Sequence, residues 1–408
     1  MISVECDGES VKRILEDLAG FGGAPAFEHP LRVGAPNIGD RERFSARLDA
    51  AFARGWLSND GPLAKEFERR VAQAAGTRYA VATCNATSAL QLAIRAADLT
   101  GEIIVPSLTF AATAHVVSWL GLTPVFCDVD PLTGQIDPDH ARTLIGPRTS
   151  AILAVHLWGR TAPAERLEAV ARRHGLALFF DASHAFACTR GGRPVGGFGD
   201  AEIFSFHSTK FVNAFEGGAL VTNDESLARR VQSIRNFGIT AEDEVSHVGI
   251  NAKMNEASAA MGLTSLDSID RFVARNLDNY RRYRAGLAGV PGIRLIPFDE
   301  GERHNYQYVV IEVDPRRAGI SRDTLRHLLH QENVLARRYF HPGCHRMAPY
   351  ADRPPLPATE HLSERVLALP TGMSVTRTQV AKICEIIRVV VVNSQAIAER
   401  VPMEVGAR

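Results

Sequence analysis

Lys210 stands in the middle of an apolar run. In "AEIFSFHSTKFVNAFEGGALVTND", residues 201–224, Phe204, Phe206, Phe211, Phe215 and the run 219–221 bring enough apolar surface for burial, where an ammonium group is costly. Only five of the 46 basic residues are lysines (Lys12, Lys65, Lys210, Lys253 and Lys382), so arginine carries most of the positive charge. A guanidinium stays protonated in a protein, whereas a lysine amine in an apolar setting can lose its proton and become a nucleophile. Asp181 closes another apolar run, "LALFFD", and lies 29 residues before Lys210. A carboxylate placed there needs a partner, and two readings are open. Either Asp181 and Lys210 form a direct salt bridge, or both address one cationic, carbonyl-bearing ligand, Lys210 through a Schiff base and Asp181 through a protonated pyridine nitrogen. Pyridoxal 5'-phosphate fits the second reading.

Such a ligand needs an anion site. "CNATSAL", residues 84–90, lies between a strand-like and a helix-like segment, so the backbone N–H groups around Ala86 and Thr87 open a helix where the dipole favours an anion. Thr87 adds a hydroxyl. The same residues also describe an ordinary helix start with Asn85 or Thr87 as N-cap. Ser205, five residues before Lys210, is a second hydroxyl close in sequence. A flat aromatic ligand needs its faces covered, and Phe110 lies just beyond the strand-like "EIIVP", where stacking would contribute roughly 0.5–1.5 kcal/mol beyond area burial. His184, three residues after Asp181, is placed to meet the ring or its phenolic oxygen. Taken singly, Phe110 reads as core and His184 as structural. Together they converge on one ligand.

These residues must be carried by a scaffold, and the chain reads as α/β. Short apolar runs predict strands at 79–83, 102–106, 123–129, 150–156, 176–182, 202–206 and 218–222, with helical patterns such as 87–97, 110–119 and 163–174 between them. This alternation predicts a mainly parallel sheet covered on both faces, with ligands beyond the carboxyl ends of its strands. After a polar loop, one long helical run over about 256–287 reads as a connector. Strand-like 306–313, helix-like 321–332 and a terminal helix near 376–390 predict a second, smaller α+β domain. The expected division is an N-terminal extension (1–24), a large α/β domain (25–255), a connecting helix (256–292) and a small C-terminal domain (293–408). The first 30 residues, with "GFGGAPAF", read as loosely held.

Composition narrows the partners. The 408 residues carry 46 basic and 46 acidic side chains, so no charge excess points to nucleic acid or an anionic membrane. The N-terminus lacks the pattern of a signal peptide and no 18-residue apolar run occurs, which predicts a cytoplasmic protein. Six cysteines at 6, 84, 127, 188, 344 and 384 form no CxxC pair and predict reduced thiols rather than disulfides or a metal site.

The ordered motifs "NATSAL", "VPSLTFAATAH", "TPVFCDVDPLTGQID", "AVHLWGR", "DASHAF", "GGFGDAEIFSFHSTK", "EGGALVTND" and "GINAKMNEASAAMGL" closely resemble the DegT/DnrJ/EryC1/StrS family of pyridoxal-phosphate-dependent sugar aminotransferases, from about residue 25 to about 390. The resemblance implies a fold-type-I homodimer with a seven-stranded sheet in its large domain and active sites at the subunit interface. It implies that Lys210 is the Schiff-base lysine, Asp181 the partner of the pyridine nitrogen and Phe110 the residue stacked on the ring. His184 would lie near the ring hydroxyl. Ala86, Thr87 and Ser205 would contact the phosphate, joined by Asn251 from the neighbouring subunit. Substrate contacts are expected in "WLSNDGP" (56–62), at Asn236, Phe237 and Lys253, and in "RRYFHPG" (337–343) with Tyr339, although Lys253 also reads as a plain surface cation.

The implied donor is L-glutamate and the implied acceptor a dTDP-linked keto-6-deoxyhexose, aminated at C4 as dTDP-4-keto-6-deoxyglucose. C3 amination of a 3-keto-6-deoxy sugar nucleotide is the alternative. Departures from the family pattern fall at Ala86, where glycine is common, and at Phe237 and Tyr339, where histidine occurs; the last two bear on the sugar pocket. A dehydratase of the family would carry histidine in place of Lys210, and a non-catalytic relative would have lost Asp181 or Lys210.

Overall fold

The computed structural model describes residues 12–400. A short strand, β1 (Leu31–Arg32), precedes helices α1 (Arg41–Arg54) and α2 (Pro62–Ala75). Strands and helices then alternate as β2 (Tyr79–Thr83), α3 (Ala86–Ala96), β3 (Glu102–Pro106), α4 (Ala111–Trp119) and β4 (Thr123–Cys127). The alternation continues with α5 (Pro138–Thr143), β5 (Thr149–Val155), α6 (Ala164–His174) and β6 (Ala177–Asp181). A small hairpin, β7 (Thr189–Arg190) and β8 (Arg193–Pro194), leads to β9 (Ala201–Ser205), β10 (Gly218–Thr222) and α7 (Glu225–Arg235). A second hairpin, β11 (Ile239–Ala241) and β12 (Glu244–Val245), comes before α8 (Glu256–Leu266) and α9 (Ile269–Gly286). The remainder holds β13 (Ile293–Leu295), β14 (Val309–Val313), α10 (Pro315–Ala318), α11 (Arg322–Gln331) and β15 (Val334–Leu335). It ends with α12 (Pro357–Arg365), β16 (Val366–Leu369), α13 (Arg377–Val392) and α14 (Ser394–Arg400).

The large sheet has seven strands in the order β2-β10-β9-β6-β5-β3-β4. Its pairs are parallel except at β10, which runs antiparallel to both β2 and β9. Alternate residues of each strand enter different cores, which is why these strands read as continuous apolar runs. Ile103, Leu153, Phe179 and Ile203 pack under α3, α4 and α7. Ile104, Ile152 and Phe180 pack against α6 on the other face, while Phe204 and Val221 meet α2, α8 and α9 there. A separate core gathers β14, β16, α11 and α13 around Ile311, Leu325, Leu367 and Ile383.

Two expectations give way. The helical run over 256–287 is two helices, because α8 is buried almost all round whereas α9 buries only one stripe, and the axis turns between them at Asp267 and Ser268. Asp267 marks the turn by accepting from Arg47 at 2.7 Å and Arg70 at 2.6 Å. The expected loose extension is docked from residue 12 onward. Lys12 and Glu332 form a buried ion pair at 3.1 Å, and Glu332 also accepts the backbone N–H groups of Ala19 and Ala26 at 2.6 and 2.7 Å. Leu15 and Leu18 enter the β14/α13 core, and β1 pairs in parallel with β15. No helix among the described residues is long and apolar enough to cross a membrane.

Candidate active site

The carboxyl ends of β6 and β9 place Asp181 and Ser205 at one edge of the large sheet, two strands lying side by side with Asp181 opposite Ile203. Beyond that edge opens a cavity of about 830 Å³, whose lining includes Ala86, Thr87, Phe110, Asp181, His184, Ser205, Lys210 and Tyr339. It therefore gathers eight of the residues singled out from the sequence at one place.

Lys210 and Asp181 do not form a salt bridge. Asp181 is buried and held otherwise: its Oδ2 accepts from Thr113 Oγ1 at 2.9 Å and its Oδ1 from the Ser183 N–H at 3.1 Å. Lys210 Nζ makes no hydrogen bond or ion pair among the described residues. Burial pulls its amine down to about 8, and the charge of Asp181 opposes that shift only in part. The backbone around the amine is fixed from several directions. Gln307 Nε2 donates to the Thr209 carbonyl at 3.0 Å, Asn37 Nδ2 donates to the Phe211 carbonyl at 3.1 Å, and Lys210 N donates to the His207 carbonyl at 2.8 Å. The salt-bridge reading is thereby excluded, and two groups remain aimed at a shared space.

His184 is neutral. Burial, and after it the charge of Lys210, holds its pKa well below 6.5. Its Nδ1 accepts the Trp158 N–H at 3.3 Å, so the proton resides on Nε2. The ring lies nearly parallel to that of Phe340, with centroids 6.0 Å apart, and its own backbone carbonyl is held by Asn305 Nδ2 at 3.0 Å. Phe110, the N-cap residue of α4, is 60 % exposed although it lines the cavity, so an apolar ring faces open space.

The start of α3 supplies the anion site. Asn85 caps the helix by accepting from Ser88 N at 2.8 Å, which leaves the N–H groups of Ala86 and Thr87 without acceptors among the described residues. Gly218, the first residue of β10, lies directly beneath; a Cβ there would come within 2.5 Å of Ala86 N. Because Gly218 pairs with both Ser205 and Thr83, the missing side chain lets the helix start sit close to Ser205. Orphan N–H donors, two hydroxyls, an exposed ring, a buried carboxylate and a free amine around one cavity fit pyridoxal 5'-phosphate.

The sequence pattern of the DegT/DnrJ/EryC1/StrS aminotransferase family matches residues 39–388. The chain belongs to this family. Like other DegT/DnrJ/EryC1/StrS members it is a sugar aminotransferase with the fold-type-I architecture, and the family is in general pyridoxal-phosphate-dependent. It is similar to the dTDP-4-amino-4,6-dideoxy-D-glucose transaminase of Escherichia coli, at 33 % identity over 363 residues that cover 88 % of this chain and 98 % of that one. The spore coat polysaccharide biosynthesis protein SpsC of Bacillus subtilis is 32 % identical over 385 residues, covering 89 % and 97 % of the two chains. Among solved structures, DesI in the presence of its TDP-sugar product matches with a TM-score of 0.92 and 51 % identity, covering 95 % of this chain and 99 % of that one.

Several residues singled out from the sequence lie elsewhere, the segment 56–62 and Phe237 among them. Asn236, Asn251 and Lys253 do not line the cavity of their own chain. Asn236 and Asn251 oppose each other across an antiparallel bridge, Lys253 Nζ donates to Asn236 Oδ1 at 2.7 Å, and the same ammonium sits 4.8 Å from the centre of the Phe237 ring. As substrate contacts within one chain, Asn236 and Lys253 are thus displaced. Sequence reasoning also missed Thr113, Ser183, Asn305 and Gln307. Thr113 was visible one helical turn after Phe110 in "TFAATAH"; nothing local marks Asn305 or Gln307, which act from the far side of the fold.

Proposed function

We propose that the protein is a pyridoxal-phosphate-dependent aminotransferase that moves an amino group from L-glutamate to C4 of dTDP-4-keto-6-deoxyglucose. One observation carries the reading: Lys210 presents a hydrogen-bond-free amine, its pKa lowered to about 8, to a cavity it shares with a fixed carboxylate. The bound cofactor supplies an electron sink for the carbanion that forms at the reacting carbon. Lys210 would be the amine that attaches it, and once the donor's amine has displaced Lys210, its freed Nζ would take up the proton from the donor α-carbon. Asp181, fixed by Thr113 and Ser183, keeps the pyridine nitrogen protonated. His184, with its proton on Nε2, would donate toward the ring hydroxyl, Phe110 would cover a ring face, and Ala86, Thr87 and Ser205 would hold the phosphate.

The name of the Escherichia coli relative supports a 4-amino product, and the TDP-sugar product of DesI supports the nucleotide. A homodimer with shared sites accounts for the displaced residues: Asn251 is exposed, and Phe52, Trp56, Phe237, Val248 and Ile250 leave an apolar surface for a second copy to cover. In the dimer Asn251 reaches the partner's phosphate, and Asn236 and Lys253 approach its sugar. On the same reading the chain divides into an extension (1–24), a cofactor domain (25–255), connecting helices (256–292) and a small domain (293–408).

The test has two steps. Borohydride treatment of the yellow protein should add the mass of reduced cofactor to the peptide that contains Lys210; a protein unable to take up the cofactor refutes the reading. Incubation with L-glutamate and, separately, with the 4-keto and 3-keto dTDP-sugars should then place nitrogen at C4 by NMR, and amination at C3 alone refutes the regiochemistry.

A further inference from the structure

The cavity has a second charged region, distinct from Lys210 and Asp181. Arg326 from α11 and Arg337 and Arg338 from the segment after β15 all line it, together with His330 and His341. The parallel pair of β1 and β15 and the bridge between Arg337 and Ala368 fix this segment against the small-domain sheet. Positive charge there exceeds what the local acids offset. Asp323 is the acid beside the cluster, and it is shared by Arg322 at 2.9 Å and Arg338 at 3.4 Å. Arg326 and Arg337 make no ion pair and no side-chain hydrogen bond among the described residues. Arg326 lies below its ordinary pKa through burial first and then through the charge of Arg338, with Asp323 opposing and Arg337 adding to the repulsion. Like charges held together beside open space form an anion seat.

We infer that Arg326 and Arg337 are a seat used in turn by both substrates, taking the side-chain carboxylate of the amino donor in one half-reaction and the diphosphate of the sugar nucleotide in the other. The inference rests on the proposed function. Both substrates must bring their reacting carbon to the same amine in the same cavity, so whatever anion each carries a few bonds away meets the same wall. L-glutamate carries a carboxylate there, and a nucleotide-linked hexose carries a diphosphate on C1, across the ring from C4. A guanidinium pairs in a bidentate manner with either group, so one seat can accept both. An amino acid with a neutral side chain gains nothing from it. The arginines therefore set donor specificity and make the two substrates mutually exclusive.

The experiment uses the cofactor-loaded enzyme, so that the start of α3 is already filled, with inorganic pyrophosphate as the probe. Calorimetry should show pyrophosphate binding that L-glutamate displaces, and Arg326→Gln and Arg337→Gln should each weaken it about tenfold. In stopped-flow half-reactions the same variants should lower the ratio of the L-glutamate rate to the L-alanine rate about tenfold, with Arg326→Lys and Arg337→Lys retaining more of that ratio. Pyrophosphate bound without competition from L-glutamate, or a ratio unchanged in both glutamine variants, overturns the seat. If the wild-type protein neither loads the cofactor nor reacts with either amino acid, the proposed function itself falls, and the seat with it.

Discussion

Lys210 should be titratable in the cofactor-free protein near neutral pH. Burial lowers its amine from 10.5 to about 8. At pH 8 about half of such amines are neutral, against roughly 0.3 % at 10.5, a gain of about two orders of magnitude in reactive amine. Asp181 works against this gain, because its negative charge favours the ammonium form. Asp181→Asn should therefore move the inflection further down, below that of the wild type. The check is trinitrobenzenesulfonate labelling at a series of pH values with peptide mapping, using the exposed Lys65 as internal reference. An inflection for Lys210 at 10 or above, or one that rises in Asp181→Asn, would refute the electrostatic account. The linkage sign is also fixed. Between about 8 and 10.5 the unfolded chain keeps a proton that the folded amine has lost, so this group stabilises the cofactor-free protein increasingly as pH rises through that window.

Thr113→Val removes the hydroxyl that donates to Asp181 at 2.9 Å. A hydrogen bond to a charged group contributes about 1.5–3 kcal/mol, so cofactor affinity measured by equilibrium dialysis should fall roughly tenfold or more. Gly218→Ala forces a Cβ to within 2.5 Å of Ala86 N and should cost about 1–3 kcal/mol in urea denaturation, with weaker cofactor binding. Glu332→Ala leaves the buried Lys12 ammonium with only the Asp17 and Ala24 carbonyls and no counter-charge, strands two backbone N–H groups, and should cost about 3–5 kcal/mol. Pairing Lys12→Met with Glu332→Leu should recover most of that loss, and failure to recover it would show that packing rather than charge holds the segment.

Much of the site was legible because strand ends are legible. Asp181 and Ser205 close apolar runs, and in a parallel sheet such positions converge on one edge whatever the loops do. Phe110 and the Ala86 turn were likewise marked by strand-to-helix transitions. The residues that hold these groups in place were not marked, since Asn305 and Gln307 reach the site from 121 and 98 residues away through backbone carbonyls that have no sequence signature. Asn236, Asn251 and Lys253 looked like site residues yet lie off the cavity, because spacing along the sequence does not say toward which face of the fold a side chain is turned. The break at Asp267 escaped because both helices share a helical period, and only burial around α8 distinguishes them.

The docked N-terminal segment separates two kinds of boundary. The family pattern begins at residue 39, yet Leu15 and Leu18 enter the β14/α13 core, Lys12 pairs with the buried Glu332 and Asn37 supports the backbone beside Lys210. The family pattern and the cooperative fold thus start at different residues. A polypeptide trimmed to residues 39–388 would retain every group proposed for the chemistry while losing the β15 partner strand and the mate of Glu332, so it would fail as a folding unit before it failed as a catalyst.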